Sequence, residues 1–251
     1  MAWIFDLDGV LWLGPDPIAG AADAVAKVRS AGHQALFLTN NSSRPVSDIV
    51  EKLTDMGIEV DPAEVISSAA AAASLLDAGA TALVCAGVGV KEALEGREVK
   101  VVTDGDADAV VVGWHREFDY DRLTAAYRAV CNGARLIGTN DDATYPSPEG
   151  PIPGGGAILA SVVTATGTEA EVAGKPHEPM AALVRQRLAD GLEGSLLVGD
   201  RPSTDGLMAR RLGVDFALVL TGVTDSDSIP DDPAPEHVAD DLAALVERLI
   251  G

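Results

Sequence analysis

Three apolar stretches of this chain run directly into polar residues that could do chemistry. Residues 2–5 lead into Asp6-Leu7-Asp8-Gly9, residues 35–38 into Thr39-Asn40-Asn41, and residues 196–198 into Gly199-Asp200. In an open parallel sheet, ligands bind outside the carboxyl ends of the strands. If the three stretches are neighbouring strands, Asp6, Asp8, Thr39 and Asp200 converge on one crevice. Three carboxylates that close need a cation between them. Oxygen donors with no histidine or cysteine cluster select Mg²⁺. One carboxylate of Asp-x-Asp and the other residue's main-chain carbonyl are expected on the metal, which leaves the second carboxylate for proton transfer. A carboxylate beside a metal, a hydroxyl donor and the lysine of Gly174-Lys175-Pro176 suits attack on phosphorus through an aspartyl-phosphate. The metal and Lys175 would neutralise the phosphate, and Thr39 and Asn40 would donate hydrogen bonds to it.

The elements that must position these residues alternate along the chain. Strands are expected at 2–5, 35–38, 65–67, 82–85, 99–103, 109–112, 135–137, 196–198 and 216–220, with amphipathic helical stretches between them. Ile18, Ala22, Val25 and Val28 recur at helical spacing, and Gly32 closes that helix. Pro45 sits at a helix start. The alanine-rich run reads as helix through Leu76. Further helices are expected at 90–94, 120–130 and 157–166, one opening at Gly174-Lys175-Pro176, and a short one at the C-terminus. Residues 141–156, rich in proline and glycine, read as a loop. This alternation signals an α/β fold with a doubly wound, Rossmann-like parallel sheet. The stretch from Asn41 to Lys175 is far longer than the dozen or so residues that a crossover needs. A second α/β set is therefore expected as an insertion at 80–173, between core segments 1–79 and 174–251. The short interval from Asp6 to Thr39 has room for one crossover helix and no domain.

Four segments in order resemble the motifs of the haloacid-dehalogenase-like superfamily. They are Asp6-Leu7-Asp8-Gly9-Val10, Leu38-Thr39-Asn40-Asn41, Gly174-Lys175-Pro176, and Val198-Gly199-Asp200-Arg201-Pro202-Ser203-Thr204-Asp205. Residues 6–20, 38–44, 133–156 and 219–224 further resemble the capped subclass IIA, which holds NagD-like and 4-nitrophenylphosphatase-like phosphatases. The resemblance implies Asp6 as nucleophile and Mg²⁺ ligand. It implies Asp8 as general acid and then base, with its main-chain carbonyl on the metal. Thr39 and Asn40 would hold phosphoryl oxygens, Lys175 would clamp phosphate and nucleophile, Asp200 would ligate the metal, and Asp205 would orient the site from behind. The 80–173 insertion would be a cap that covers the crevice and supplies substrate contacts. Ser203 stands where many relatives carry an acid, Gly206 where they carry an aliphatic residue, and Asp141 where a proline is common.

The reading that follows is a Mg²⁺-dependent phosphatase of small phosphorylated metabolites. A phosphomutase is the nearest rival, and the cap position argues against it. A dehalogenase would not need Asp8. A non-catalytic phosphometabolite-binding regulator would be expected to lose Asp6, Asp8 or Lys175, and all three are present. Self-association through the cap stays open. Gly87-Val88-Gly89 faintly resembles a dinucleotide turn, but Glu92 stands at the third glycine position. The four histidines, His33, His115, His177 and His237, share no metal spacing, although His177 could line the entrance. Trp114 and Tyr145 read either as substrate contacts or as packing. The cysteines, Cys85 and Cys131, read as small buried apolar groups in a reducing cytoplasm. No run of about 18 apolar residues occurs, and the N-terminus lacks the basic start of a signal peptide.

Thirty-nine acids against 18 bases give a formal net charge of −21. A field of that sign repels nucleic acid and anionic membrane, so neither is an expected partner. It also fits a surface adapted to high salt. The Debye length falls from about 10 Å at 0.1 M to about 3 Å at 1 M, so molar KCl screens most of the self-repulsion. The melting temperature is expected to rise with KCl into the molar range while activity survives. A flat series of melts, with activity lost above moderate salt, would refute the halophilic reading.

Overall fold

The computed structural model describes residues 1–145, 150–188 and 191–251. The 146–149 part of the expected loop lies outside them. The chain divides into two compact units: residues 1–39, 47–66 and 181–251 form the first, and residues 40–46 and 67–180 form the second. The second unit thus takes in 40–46, 67–79 and 174–180 as well as the expected 80–173 insertion.

The first unit is built on a six-stranded sheet. Its order is His237–Ala239, Asp215–Val219, Leu196–Gly199, Ala2–Asp6, Gln34–Thr39 and Val65–Ser67. Ala2–Asp6 is buried along its whole length, as a strand covered on both faces must be. It pairs in parallel with both neighbours: Ile4 lies opposite Leu36 on one side and Leu197 on the other. Phe5 stacks on Phe37 across the pair, with ring centroids 5.8 Å apart, and Trp3 follows at 6.1 Å from Phe5. From this central strand the chain first builds outward to one side, then returns to build the other. Asp6 ends the strand at that switch of direction. In register, Asp6 lies opposite Leu38, and Phe5 opposite Val198, so Thr39 and Asp200 emerge from the same edge.

The second unit carries a five-stranded parallel sheet in the order Glu171–Val172, Arg135–Gly138, Ala109–Val112, Thr81–Cys85 and Lys100–Val102. Leu83, Cys85, Val110, Val112 and Leu136 pack with Ala126, Ala129 and Val130 of helix Tyr120–Cys131 and with Ile158, Leu159 and Val162 of helix Gly155–Thr166. Both units are α/β, and the doubly wound parallel architecture read from the sequence is present.

The sequence expectations differ from the structure at a few points, each with a local cause. The alanine-rich helix spans Ser68–Ala73 and stops short of Leu76, because Ser74 caps it and a turn through Gly79 follows. Two short strands, Glu171–Val172 and His237–Ala239, gave too few apolar residues to be read. Helix Leu207–Leu212 follows a wide π-helical turn at Pro202–Gly206 that carries no apolar period. Cys85 is buried, as expected, but Cys131 is exposed, because it lies at the end of helix Tyr120–Cys131 on the face away from the core. Burial pushes the Cys85 thiol up to about 11.

Removing the Phe37 ring leaves a cavity against Phe5 at the centre of the first sheet. Phe37→Ala is expected to cost about 3–5 kcal/mol in equilibrium denaturation. A loss below about 1 kcal/mol would show that the ring pair does not anchor this unit.

Candidate active site

In the first unit the chain leaves Asp6 through a tight turn. Gly9 adopts φ +83°, a left-handed conformation that suits glycine. Its N–H donates to the Trp12 carbonyl at 2.7 Å, and the Leu11 N–H donates to Leu7 at 2.9 Å. The turn is followed by a small hairpin in which Trp12–Leu13 pairs with Asp16–Pro17. The reversal brings Trp12 back to Asp8: the indole N–H donates to Asp8 Oδ1 at 2.9 Å. Asp8 is half-buried, whereas Asp6 is buried. The two carboxylates are placed differently because Asp6 ends the strand and Asp8 lies in the turn beyond it.

Asp200 follows strand Leu196–Gly199 and is fixed by residues after strand Asp215–Val219. The Val223 N–H donates to Asp200 Oδ2 at 2.8 Å, and the Thr224 hydroxyl donates to the Asp200 carbonyl at 2.6 Å. Glycines make its space. A Cβ on Gly9 would lie 2.4 Å from Asp200 Oδ2, and one on Gly222 would lie 1.9 Å from it. Thr221 joins these walls by donating its hydroxyl to the Gly9 carbonyl at 2.5 Å. Asp205 is fully buried in the π-helical turn, and its Oδ2 accepts the Arg201 N–H at 3.1 Å. A Cβ on Gly199 would lie 2.3 Å from the Asp205 carboxyl carbon, so this acid also packs against bare backbone.

Asp6, Asp200 and Asp205 each offer a carboxylate oxygen within 4.8 Å of the others, and all three are buried. Among the described residues no other group of histidine, cysteine and acidic side chains has this geometry. Like charges that close in a poor solvent repel strongly, and a divalent cation among them relieves the repulsion. Three hard oxygen donors without nitrogen or sulfur fit Mg²⁺. The sequence reading put Asp6, Asp8 and Asp200 on the metal and Asp205 behind them. The structure sets the Asp205 carboxylate in the same cluster and the Asp8 side chain on Trp12.

In the second unit Asn40 and Lys175 are locked together. The Lys175 N–H donates to Asn40 Oδ1 at 2.8 Å, and Asn40 Nδ2 donates to the Lys175 carbonyl at 3.1 Å and to Asp142 Oδ2 at 2.9 Å. The Asn40 carbonyl accepts from Ser68 Oγ at 2.7 Å and from Asn140 Nδ2 at 2.8 Å. Gly174 permits this closeness, since a Cβ there would meet Asn40 Oδ1 and the Thr139 carbonyl, each at 2.5 Å. Lys175 itself is buried. Asn41 donates to the Tyr145 hydroxyl at 3.3 Å, and Tyr145 stacks on Trp114 with centroids 4.9 Å apart. His177 Nε2 lies 3.1 Å from Asp141 Oδ2, a hydrogen bond that holds the Asp141 carboxyl below its ordinary range. His115 is buried, and desolvation lowers its pKa.

The sequence reading named Asp6, Asp8, Thr39, Asn40, Lys175, Asp200 and Asp205 but gave no role to Trp12, Lys52, Gly222, Val223 or Thr224. The segment 219–224 was legible as a motif, yet nothing in its composition says that its main chain grips an aspartate from another strand.

Profiles of two families match the chain: a haloacid dehalogenase-like hydrolase over residues 3–100 and a HAD-hydrolase-like segment over residues 172–245. An acid sugar phosphatase of Staphylococcus haemolyticus is 33% identical over 251 residues, covering 98% of this chain and 95% of that protein. The chain belongs to the haloacid dehalogenase-like hydrolases. Among solved structures of these hydrolases, a p-nitrophenyl phosphatase from Archaeoglobus fulgidus superposes with TM-score 0.91 at 30% identity, covering 99% of this chain and 98% of that one. A glycerol phosphate phosphatase from Mycobacterium tuberculosis in complex with magnesium superposes with TM-score 0.89 at 32% identity, over 97% of this chain and 75% of that one. This haloacid dehalogenase-like hydrolase is of the NagD-like subclass IIA. No helix among its described residues is long and apolar enough to cross a membrane.

The glycine walls give a direct test of the acidic cluster. Gly222→Ala pushes a methyl group into Asp200 and is expected to weaken Mg²⁺ binding about 10–100-fold in calorimetry, with the fold retained. Unchanged affinity in a folded variant would mean that Asp200 does not hold the metal.

Proposed function

We propose that this hydrolase is a Mg²⁺-dependent phosphomonoesterase that acts on small phosphorylated metabolites through an aspartyl-phosphate on Asp6. The buried cluster of Asp6, Asp200 and Asp205 carries the proposal, because it is a hard-ion donor set that includes a strand-ending aspartate. Asp6, Asp200 and the main-chain carbonyl of Asp8 would hold the ion, with Asp205 completing or orienting the set. When bound, Mg²⁺ supplies positive charge against the phosphoryl oxygens and the nucleophile.

The chain's own residues divide the remaining work. An Asp6 carboxylate oxygen attacks phosphorus, and the bond from phosphorus to the leaving oxygen breaks. Asp8 gives its proton to that oxygen, so an alcohol departs. Asp8 then takes a proton from water as the water attacks phosphorus, which frees inorganic phosphate and restores Asp6. Thr39 and Asn40 hold phosphoryl oxygens. The Asn40 side chain is committed to Lys175 and Asp142, so its share falls to the main-chain N–H. Lys175 brings the local positive charge that a chain of net charge −21 must supply to an anionic substrate.

Residues 80–173 serve as a cap that shields the crevice from water and selects the substrate. Relatives named for acid sugar phosphatase and glycerol phosphate phosphatase activity support a sugar or polyol phosphate as substrate. The uncharged, hydroxyl-rich leaving groups of such esters need protonation, the task assigned to Asp8.

Asp6→Asn replaces the nucleophile by an amide, which neither attacks phosphorus nor binds Mg²⁺ well. It is expected to abolish phosphate release from aryl and sugar phosphates with the circular dichroism spectrum unchanged. A folded variant that kept about a tenth of wild-type turnover would rule out Asp6 as nucleophile.

A further inference from the structure

The Asp8 carboxylate is held by the side chain of Trp12, four residues along the chain. Trp12 is nearly fully buried, and its indole has one donor and no acceptor. That N–H is spent on Asp8 Oδ1 at 2.9 Å. The main chain prepares the contact: Asp8 and Trp12 form an isolated bridge, and the Gly9 N–H reaches the Trp12 carbonyl at 2.7 Å. The ring's position is fixed in turn by Lys52 of helix Val46–Asp55. Lys52 Nζ lies 3.8 Å from the indole centroid and donates to the Gly14 carbonyl at 2.8 Å, which ties the hairpin turn to that helix.

We propose that Trp12 is a positioning residue for the general acid, and that Lys52 acts through it. The argument rests on the role proposed above for Asp8. A carboxylic acid can present either oxygen to the leaving group, and it loses rate whenever it turns the wrong one. The indole N–H accepts no proton, so it pairs with the oxygen that does not carry the acid proton. Holding Oδ1 therefore commits Oδ2 to proton delivery. The ammonium over the ring face draws electron density from the indole and makes its N–H a stronger donor. The arrangement serves leaving groups that need a proton and does little for those that leave as stable anions.

Leaving-group dependence is a readout that a merely structural role would not move. The full-length enzyme with Mg²⁺ is assayed with glycerol phosphate and with 4-nitrophenyl phosphate, comparing kcat/KM for each, since this constant reports the half-reaction that expels the leaving group. Trp12→Phe keeps the ring face for Lys52 and deletes the N–H. It is expected to lower kcat/KM for the alkyl ester about tenfold and for the aryl ester less than about threefold, with the alkyl loss in kcat and not in KM. Lys52→Met is expected to give a smaller loss of the same selectivity, and Lys52→Arg, which keeps a cation over the ring, to restore it. Asp8→Asn, run beside them, tests the underlying role and should show the selectivity at its largest. If Asp8→Asn is selective while Trp12→Phe loses both substrates equally or neither, the positioning role is overturned and the general-acid reading stands. If Asp8→Asn itself loses both equally, the general-acid reading falls and the inference falls with it. If Trp12→Phe fails to fold, Lys52→Met decides: an unselective effect, or one not restored by Lys52→Arg, overturns the proposal.

Discussion

Three buried carboxylates, on Asp6, Asp200 and Asp205, have oxygens within 4.8 Å of one another. At such spacing their mutual repulsion, sharpened by burial, is the force that the surrounding structure must oppose. The opposition is mechanical as much as electrostatic. Asp200 is gripped by the Val223 N–H and the Thr224 hydroxyl and boxed by two glycines. Asp205 rests on Gly199 and accepts the Arg201 N–H. Asp6 inherits the rigidity of a strand paired on both sides and buried throughout. The sheet order, the strand registers and the bare glycine backbone all serve to hold like charges in place.

The second unit shows a different solution to a related need. Around Asn40 order comes from a closed set of hydrogen bonds linking residues 40, 68, 140, 142 and 175. The Asn40 side chain uses its acceptor and both of its donor bonds within this network. An aspartate in its place would lose the donors and set a second charge against Asp142. Only an amide satisfies both neighbours at once.

Much of this was legible from residue types and spacing. Asp6, Thr39 and Asp200 could be placed on one sheet edge because apolar runs ending in polar residues are a strong local signal, and the registers of Asp6 with Leu38 and Phe5 with Val198 show that edge. Asp8 is set apart from Asp6 by the turn that follows the strand, not by the strand itself. Long-range contacts left no local mark. Nothing near Asp205 announces that its carboxylate joins those of Asp6 and Asp200, since a π-helical turn has no sequence period of its own. Trp12 received no reading from the sequence, and its N–H could be assigned only once the turn at Gly9 was seen to fold it back. Cys131 was misread because an apolar residue at a helix end looks the same in sequence whether it faces the core or solvent.

That exposure makes the two cysteines chemically unequal. Only the thiolate reacts with electrophiles such as maleimide. The Cys85 thiol, buried and raised to about 11, offers almost none at neutral pH and is shut away from reagent. Cys131 is open to solvent at the end of its helix. The native chain therefore carries a single addressable attachment point, on the second unit, where a fluorophore or spin label could be fixed without engineering and used to follow motions of that unit during turnover.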